Sequence, residues 1–99
     1  MYDKALEMIK AEIASGCKYI SAHRKDDHIS YVSSVTDVLS NLEVFWRGMS
    51  GALFAMGVSV LHISLISAEA IEYCCAELDA IDALNCSFNW NAMIRQALS

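Results

Sequence analysis

From Gly48 to Ala68 the chain runs 21 residues without an Asp, Glu, Lys or Arg. A stretch that long and that poor in charge is expected to be covered by protein or lipid, because exposing so much apolar surface to water is unfavourable. It follows directly on a second apolar signal. Tyr31, Val35, Val38, Leu42, Phe45 and Met49 are spaced 4, 3, 4, 3 and 4 apart, the seam by which one helix packs on another. Ile29, Val32, Leu39 and Trp46 widen this face. A helix with so broad an apolar face is buried on more than one side. The first question this sequence poses is therefore what covers residues 31–68.

Size limits the answers. A chain of 99 residues predicts one domain, residues 1–99. Hydrophobic residues make up 56% of it, or 60% with the four glycines, against the usual 45–50% counted that way. Charged residues are only 19%. These values exclude an intrinsically disordered chain, and the absence of proline excludes collagen-like architecture. A monomer of this size hides roughly 65% of its extended-chain surface. That is too little to cover every apolar residue here, so a surplus is expected against a second subunit, another protein or a membrane.

Periodicity and end signals predict helices throughout. Asp3 is a good N-cap and Gly16 a good stop for a first helix with Ala5, Leu6, Ile9 and Ile13 on one side. Residues 17–26 are polar and read as a connecting loop, a lone strand at Lys18–Ala22 having no partner. Asp26 or Asp27 opens the second helix. In the charge-free stretch, Gly48, Ala52, Ala55 and Ser59 form a small-residue stripe that permits close helix approach. Val58–Ile66 is rich in β-branched residues and also suits a buried strand, but its helical flanks favour helix. Ser67 is the expected N-cap of an acidic helix that buries Ile71, Cys74, Leu78 and Ile81. Ser87 or Asn89 would cap a last helix carrying Trp90, Met93, Ile94, Ala97 and Leu98. The predicted fold is a compact all-α bundle of about four to five helices, with a second subunit as a candidate to complete it.

Charge narrows the partners. The net charge is −5, and residues 48–99 hold five acids against one base, Arg95. Lys18, Arg24 and Lys25 are the one basic cluster, too small a footprint for nucleic acid. Cys17, Cys74, Cys75 and Cys86 include no CxxC pair, and no basic segment followed by an apolar leader is visible. A reducing, cytoplasmic setting with cysteines acting as small apolar residues is expected. Cys17, near basic residues, is the better candidate for a reactive thiol, since the acidic helix disfavours a thiolate at Cys74 or Cys75.

Dense polar chemistry is confined to His23-Arg-Lys-Asp-Asp-His28. Two histidines and two carboxylates are metal or proton-transfer groups in principle, but five-residue spacing in a loop is poor ligand geometry. A solvated loop whose Asp26 or Asp27 caps the next helix is the favoured alternative. His62, alone in the apolar stretch, is expected to face a crevice or subunit boundary and bond to a serine or carbonyl. No GxSxG, P-loop, GxGxxG, HExxH or EF-hand motif occurs. The sequence thus points away from an enzyme and gives no catalytic, cofactor or metal residue.

The function expected is a small acidic protein-interaction module, a regulator or inhibitor that binds another protein, and also itself, through an apolar helix face. Phe45, Trp46, Arg47 and Trp90 are the expected contact residues, with Trp and Arg favoured at interfaces; a plain core role fits Trp46 equally well. Glu69, Glu72, Glu77 and Asp79 would bias the choice toward a basic partner. One alternative is a membrane protein with a single span at 48–68, flanked by Arg47 and Glu69. A second is a small metal-binding protein or enzyme using the 23–28 loop.

Overall fold

A computed structural model describes residues 2–23, 25, 27–81 and 90–99, and of Tyr2, His28 and Trp90 the backbone alone. The described residues form an all-α bundle of four helices: α1 (Tyr2–Ala22), α2 (His28–Ala55), α3 (Val60–Ala80) and α4 (Trp90–Leu98). α1 packs on both α2 and α3, and α4 packs on the same two from the other side. α2 and α3 are consecutive in sequence yet face each other across a diagonal with little contact. The molecule measures 45 × 20 × 20 Å, so it is a short rod of parallel and antiparallel helices.

The seam on α2 is in the core. Val35, Val38 and Leu42 are buried, and Tyr31, Phe45 and Met49 pack half-buried against them. Leu39 and Trp46 are buried as well. Ser34, the buried hydroxyl of this helix, donates to the Tyr31 carbonyl at 2.7 Å, and Thr36 donates to the Val32 carbonyl at 2.9 Å. Each polar group is thereby satisfied within the helix itself.

α1 does not stop at Gly16. It continues to Ala22, so residues 17–22 are helix rather than loop. Its buried stripe, Ala5, Ile9, Ile13, Cys17 and Ile20, keeps helical spacing straight through the glycine. Gly16 is a packing site: a Cβ there would stand 2.5 Å from Val38 Cγ1 on α2. The missing side chain lets the two helices approach, and that outweighs the roughly 1 kcal/mol of helix propensity that glycine forgoes. The α1–α2 connection is correspondingly short, and Asp27 ends it as the N-cap of α2. Its carboxylate accepts from the Ser30 N–H at 2.9 Å and the Ser30 hydroxyl at 3.1 Å. These bonds hold the Asp27 carboxyl below its usual pKa.

The charge-free stretch is broken in the middle. α2 ends at Ala55, and the Val58 N–H donates to the Leu53 carbonyl while the Gly57 N–H donates to that of Phe54. With Gly57 at φ +89°, this is the paired-bond helix stop that needs a residue in the left-handed region. Ser59 then caps α3, its hydroxyl accepting from the His62 N–H at 3.2 Å. Residues 48–68 are therefore two helix ends joined by a turn, neither a continuous helix nor a strand. The single-span membrane alternative falls with it: among the described residues no helix is long and apolar enough to cross a membrane.

Ser67 is not an N-cap either. It lies inside α3, buried, and its hydroxyl donates to the Leu98 carbonyl. Trp46 Nε1 on α2 donates to the Ser99 carbonyl at 3.3 Å. The last turn of a helix leaves carbonyls without intrahelical donors, and these two side chains supply them for α4. They also fix where α4 stops, level with Trp46 and Ser67. The caps expected for α4, Ser87 and Asn89, lie outside the described residues.

The glycines of the 48–57 region should respond to substitution with opposite signs. Gly48→Ala, with no described atom within 4 Å of the new Cβ, should stabilise the fold by about 0.5–1 kcal/mol. Gly57→Ala should destabilise it by about 1–2 kcal/mol through left-handed backbone strain. Urea denaturation of the two variants checks the sign of each.

Candidate functional site

The turn at 56–59 sets α3's first residues beside the end of α2, and the apolar surplus collects there. Val44, Phe54 and Leu61 are 71%, 65% and 69% exposed, with Met56, Val60 and Leu65 also open to solvent. Between α1 and the last three turns or so of α2 runs a groove of about 490 Å³. Lys4, Ala5 and Met8 form its α1 wall, and Val44, Phe45, Gly48, Met49, Ala52, Leu53 and Met56 form the rest. Gly48, Ala52, Ala55 and Ser59, the small-residue stripe, are all exposed. Among the described residues no helix uses the close approach they permit. Val44 and Met56 border the groove, whereas helical spacing puts Phe54 on the other side of α2; exposed apolar residues gathered toward one end of a bundle are the surface type that docks on other molecules.

The reason for the cluster is geometric. α4 stops level with Trp46 and Ser67, so among the described residues no fourth helix accompanies the part of α2 beyond Trp46 and the part of α3 before Ser67, where Phe54, Met56, Val60, Leu61 and Leu65 lie; Val44, before Trp46, is not accounted for in this way. A bundle corner left open over that length exposes whatever apolar residues the sequence places there.

The expected contact residues are not gathered in one place. Phe45 is half-buried and lines the groove. Arg47 is exposed and paired with Glu43 at 2.7 Å across one helical turn. Trp46 is 3% exposed, so the core takes it and it is corrected from a contact residue to an anchor for α4. Glu69, Glu72 and Asp79 are exposed on α3 at spacings that place them on one face. Glu77 is half-buried and turned toward Cys17, Tyr73 and Cys74, whose ionisation it disfavours. Trp90 opens α4, and its side chain lies outside the described residues. The residues that sequence reasoning missed are Val44, Phe54, Met56, Val60 and Leu61. Their signal was present as the charge-free stretch, but its division into two helix ends was not read.

Other groups have local employment. His23 Nδ1 lies 2.8 Å from the Tyr19 carbonyl, and its ring lies against the Tyr19 ring with centroids 4.2 Å apart. Asp27 is the α2 cap, and Arg24 and Asp26 lie outside the described residues. Among the described residues no group of three or more His, Cys, Asp or Glu side chains could hold a metal ion. His62 is exposed at the start of α3 rather than set in a crevice. A second groove of about 500 Å³ between α1 and α2 carries polar residues on both walls, Glu12 and Ser15 on one and Asp37, Ser40 and Asn41 on the other, over a floor that includes Val38 and Leu42.

Cys17 is not the reactive thiol its basic neighbours suggested. It is buried between α1 and α3, and burial, with Glu77 adding to it, pushes its pKa up to about 11. Burial first, then Cys17, Cys75 and Glu77, pushes Cys74 up to about 12. Both are neutral packing groups at physiological pH.

Comparison of the chain with family models, with curated proteins and with solved structures gives no match.

The thiols give a direct check on this packing. Native-state alkylation mapped by mass spectrometry should modify the half-buried Cys75 well before Cys17 and Cys74, which should react only on unfolding. Because their folded pKa values lie above the ordinary value of 9.0, the unfolded chain loses these protons first. Their contribution to stability should therefore be complete below pH 9 and decline as pH rises from about 9 toward 11 or 12. A Cys17→Ala, Cys74→Ala variant should show a shallower alkaline decline.

Proposed function

We propose that this protein is a small acidic helical interaction module, a regulator or inhibitor that acts by seating one end of its bundle on another protein. The observation that carries this is the uncovered apolar end formed by residues 44–56 of α2 and 60–65 of α3, with the groove beside it. The mode is helix-face recognition: rigid apolar anchors on regular helices meet a complementary surface without chemical change in either partner. The acidic face of Glu69, Glu72 and Asp79 adds electrostatic preference for a basic rim on that partner and speeds encounter at low salt. His23 bonds at the end of α1 and Asp27 caps α2, roles that fit a binding protein. Free thiols at Cys17, Cys74 and Cys75 fit a reducing, cytoplasmic setting.

A photo-crosslinking residue at position 54, introduced in the protein's native cell, tests this reading. A discrete protein adduct should form from position 54 and not from position 29, equally apolar and exposed at the far end of α2. Absence of any protein adduct from position 54 would contradict it.

A further inference from the structure

We infer that the partner protein lays a basic amphipathic helix in a single trough that runs along one side of the α1–α2 pair. This rests on the docking reading above and names the element of the partner that meets the groove.

The trough is made of the two grooves between α1 and α2, which lie end to end. Lys4, Met8, Glu12, Ser15 and Tyr19 are spaced 4, 4, 3 and 4 apart and are all exposed, so they form one stripe on α1. Asp37, Asn41, Val44, Gly48 and Ala52, spaced 4, 3, 4 and 4 apart and likewise exposed, form one stripe on α2. The apolar groove joins the Lys4 end of the first stripe to the Ala52 end of the second. The polar groove joins the Tyr19 end to the Asp37 end. The two therefore meet between Met8 and Glu12 on one wall and between Asn41 and Val44 on the other. From Asp37 to Met56 the trough runs about 28 Å, the length of a helix of about five turns.

Its apolar half suits the close approach of another helix. A Cβ at Gly48 would meet no described atom within 4 Å, and Ala52 adds only a methyl group. Small residues at such positions let a second backbone come near. Met8 and Met56, 49% and 60% exposed, line the same half with unbranched side chains that adapt to the surface laid against them.

Charge selects what fills it. Glu12 and Asp37 stand on opposite walls of the polar half, and no base lines it. Lys4 is the single base in the wall of the apolar half, and Asp3 and Glu7 are exposed beside it on α1. Lys18 is exposed and His23 half-buried near Tyr19, both outside the lining. Arg47 is paired with Glu43. Acids thus outnumber bases along the trough, most clearly at Glu12 and Asp37, where the Tyr19 ring adds a surface on which a guanidinium can stack. A basic amphipathic helix satisfies both halves: its apolar face covers Met8, Gly48 and Ala52, and its Lys or Arg residues reach Glu12 and Asp37. A second copy of this chain, at net −5, brings repulsion instead.

Photo-crosslinking from positions 41 and 48 in the native cell, with each adduct mapped to the partner's sequence, tests the inference. The expected result is one partner protein crosslinked from both positions, at sites within about 20 residues of each other. That segment should carry Lys or Arg at its position-41 end and apolar residues at its position-48 end. The double variant Glu12→Lys, Asp37→Lys should lower the position-48 adduct about ten-fold or more. Circular dichroism confirms that it folds; if it does not, Glu12→Gln, Asp37→Asn takes its place, with an expected loss of about three-fold or more. Crosslinks to lipid, to a second copy or to an acidic segment, an adduct from one of the two positions alone, or a yield indifferent to the charge variants would overturn the inference. An adduct from position 54 with none from 41 or 48 removes the trough and leaves the docking reading, whereas no adduct from any of the three removes both.

Discussion

A helix of 28 residues spans about 42 Å, and among the described residues no helix packed on α2 runs that far. α2 is the spine of the molecule, and its apolar residues continue almost from end to end. α1 and α3, with 21 residues each, cover about three quarters of that length. α4, with nine, covers about a third. The hydrogen bonds from Trp46 and Ser67 to the last carbonyls of α4 decide which third it is. The exposure of Phe54, Met56, Val60, Leu61 and Leu65 follows from that mismatch: the core is complete around Val35, Leu42 and Trp46, and these residues lie past it.

Much of the fold was legible because it depends on local spacing. The 4-3-4-3-4 seam from Tyr31 to Met49 fixes the inward side of α2, and Asp27 fixes where that helix begins. The failures came where one residue type serves two physical purposes. Gly16 has the chemistry of a helix stop, yet the structure uses its missing Cβ to seat Val38. Gly57, set in a run that reads as continuous helix, supplies the positive φ that a helix stop requires. Context separates the two: apolar spacing continues through Gly16 at Cys17 and Ile20, whereas Gly57 is followed within two residues by a capping serine. Ser67 has cap chemistry too, but what it satisfies is the end of a different helix, a contact 31 residues away that no local pattern reveals.

The candidate site was legible in kind more than in detail. Excess apolar composition announced that something would remain uncovered, and the charge-free stretch located it. The individual contact residues were chosen by type, as Trp and Arg, and burial overruled type at Trp46. Exposure depends on where neighbouring helices stop, which is tertiary information. Phe54 and Leu61 are unremarkable in sequence and are left exposed where α4 does not reach. Segregation of charge completes the picture. Five of the twelve acids lie beyond residue 68 and none lies between 48 and 68, so charge and exposed apolar surface fall on different parts of α2 and α3.

The proposal that the open end of α2 and α3 is a docking face is tested most directly by hydroxyl-radical footprinting of the purified chain and of the chain in extract of its native cell. Phe54 and Leu61 should lose reactivity in the extract, while Ile29, 80% exposed at the opposite end of α2, should react equally in both. Unchanged reactivity of Phe54 and Leu61 would contradict the account.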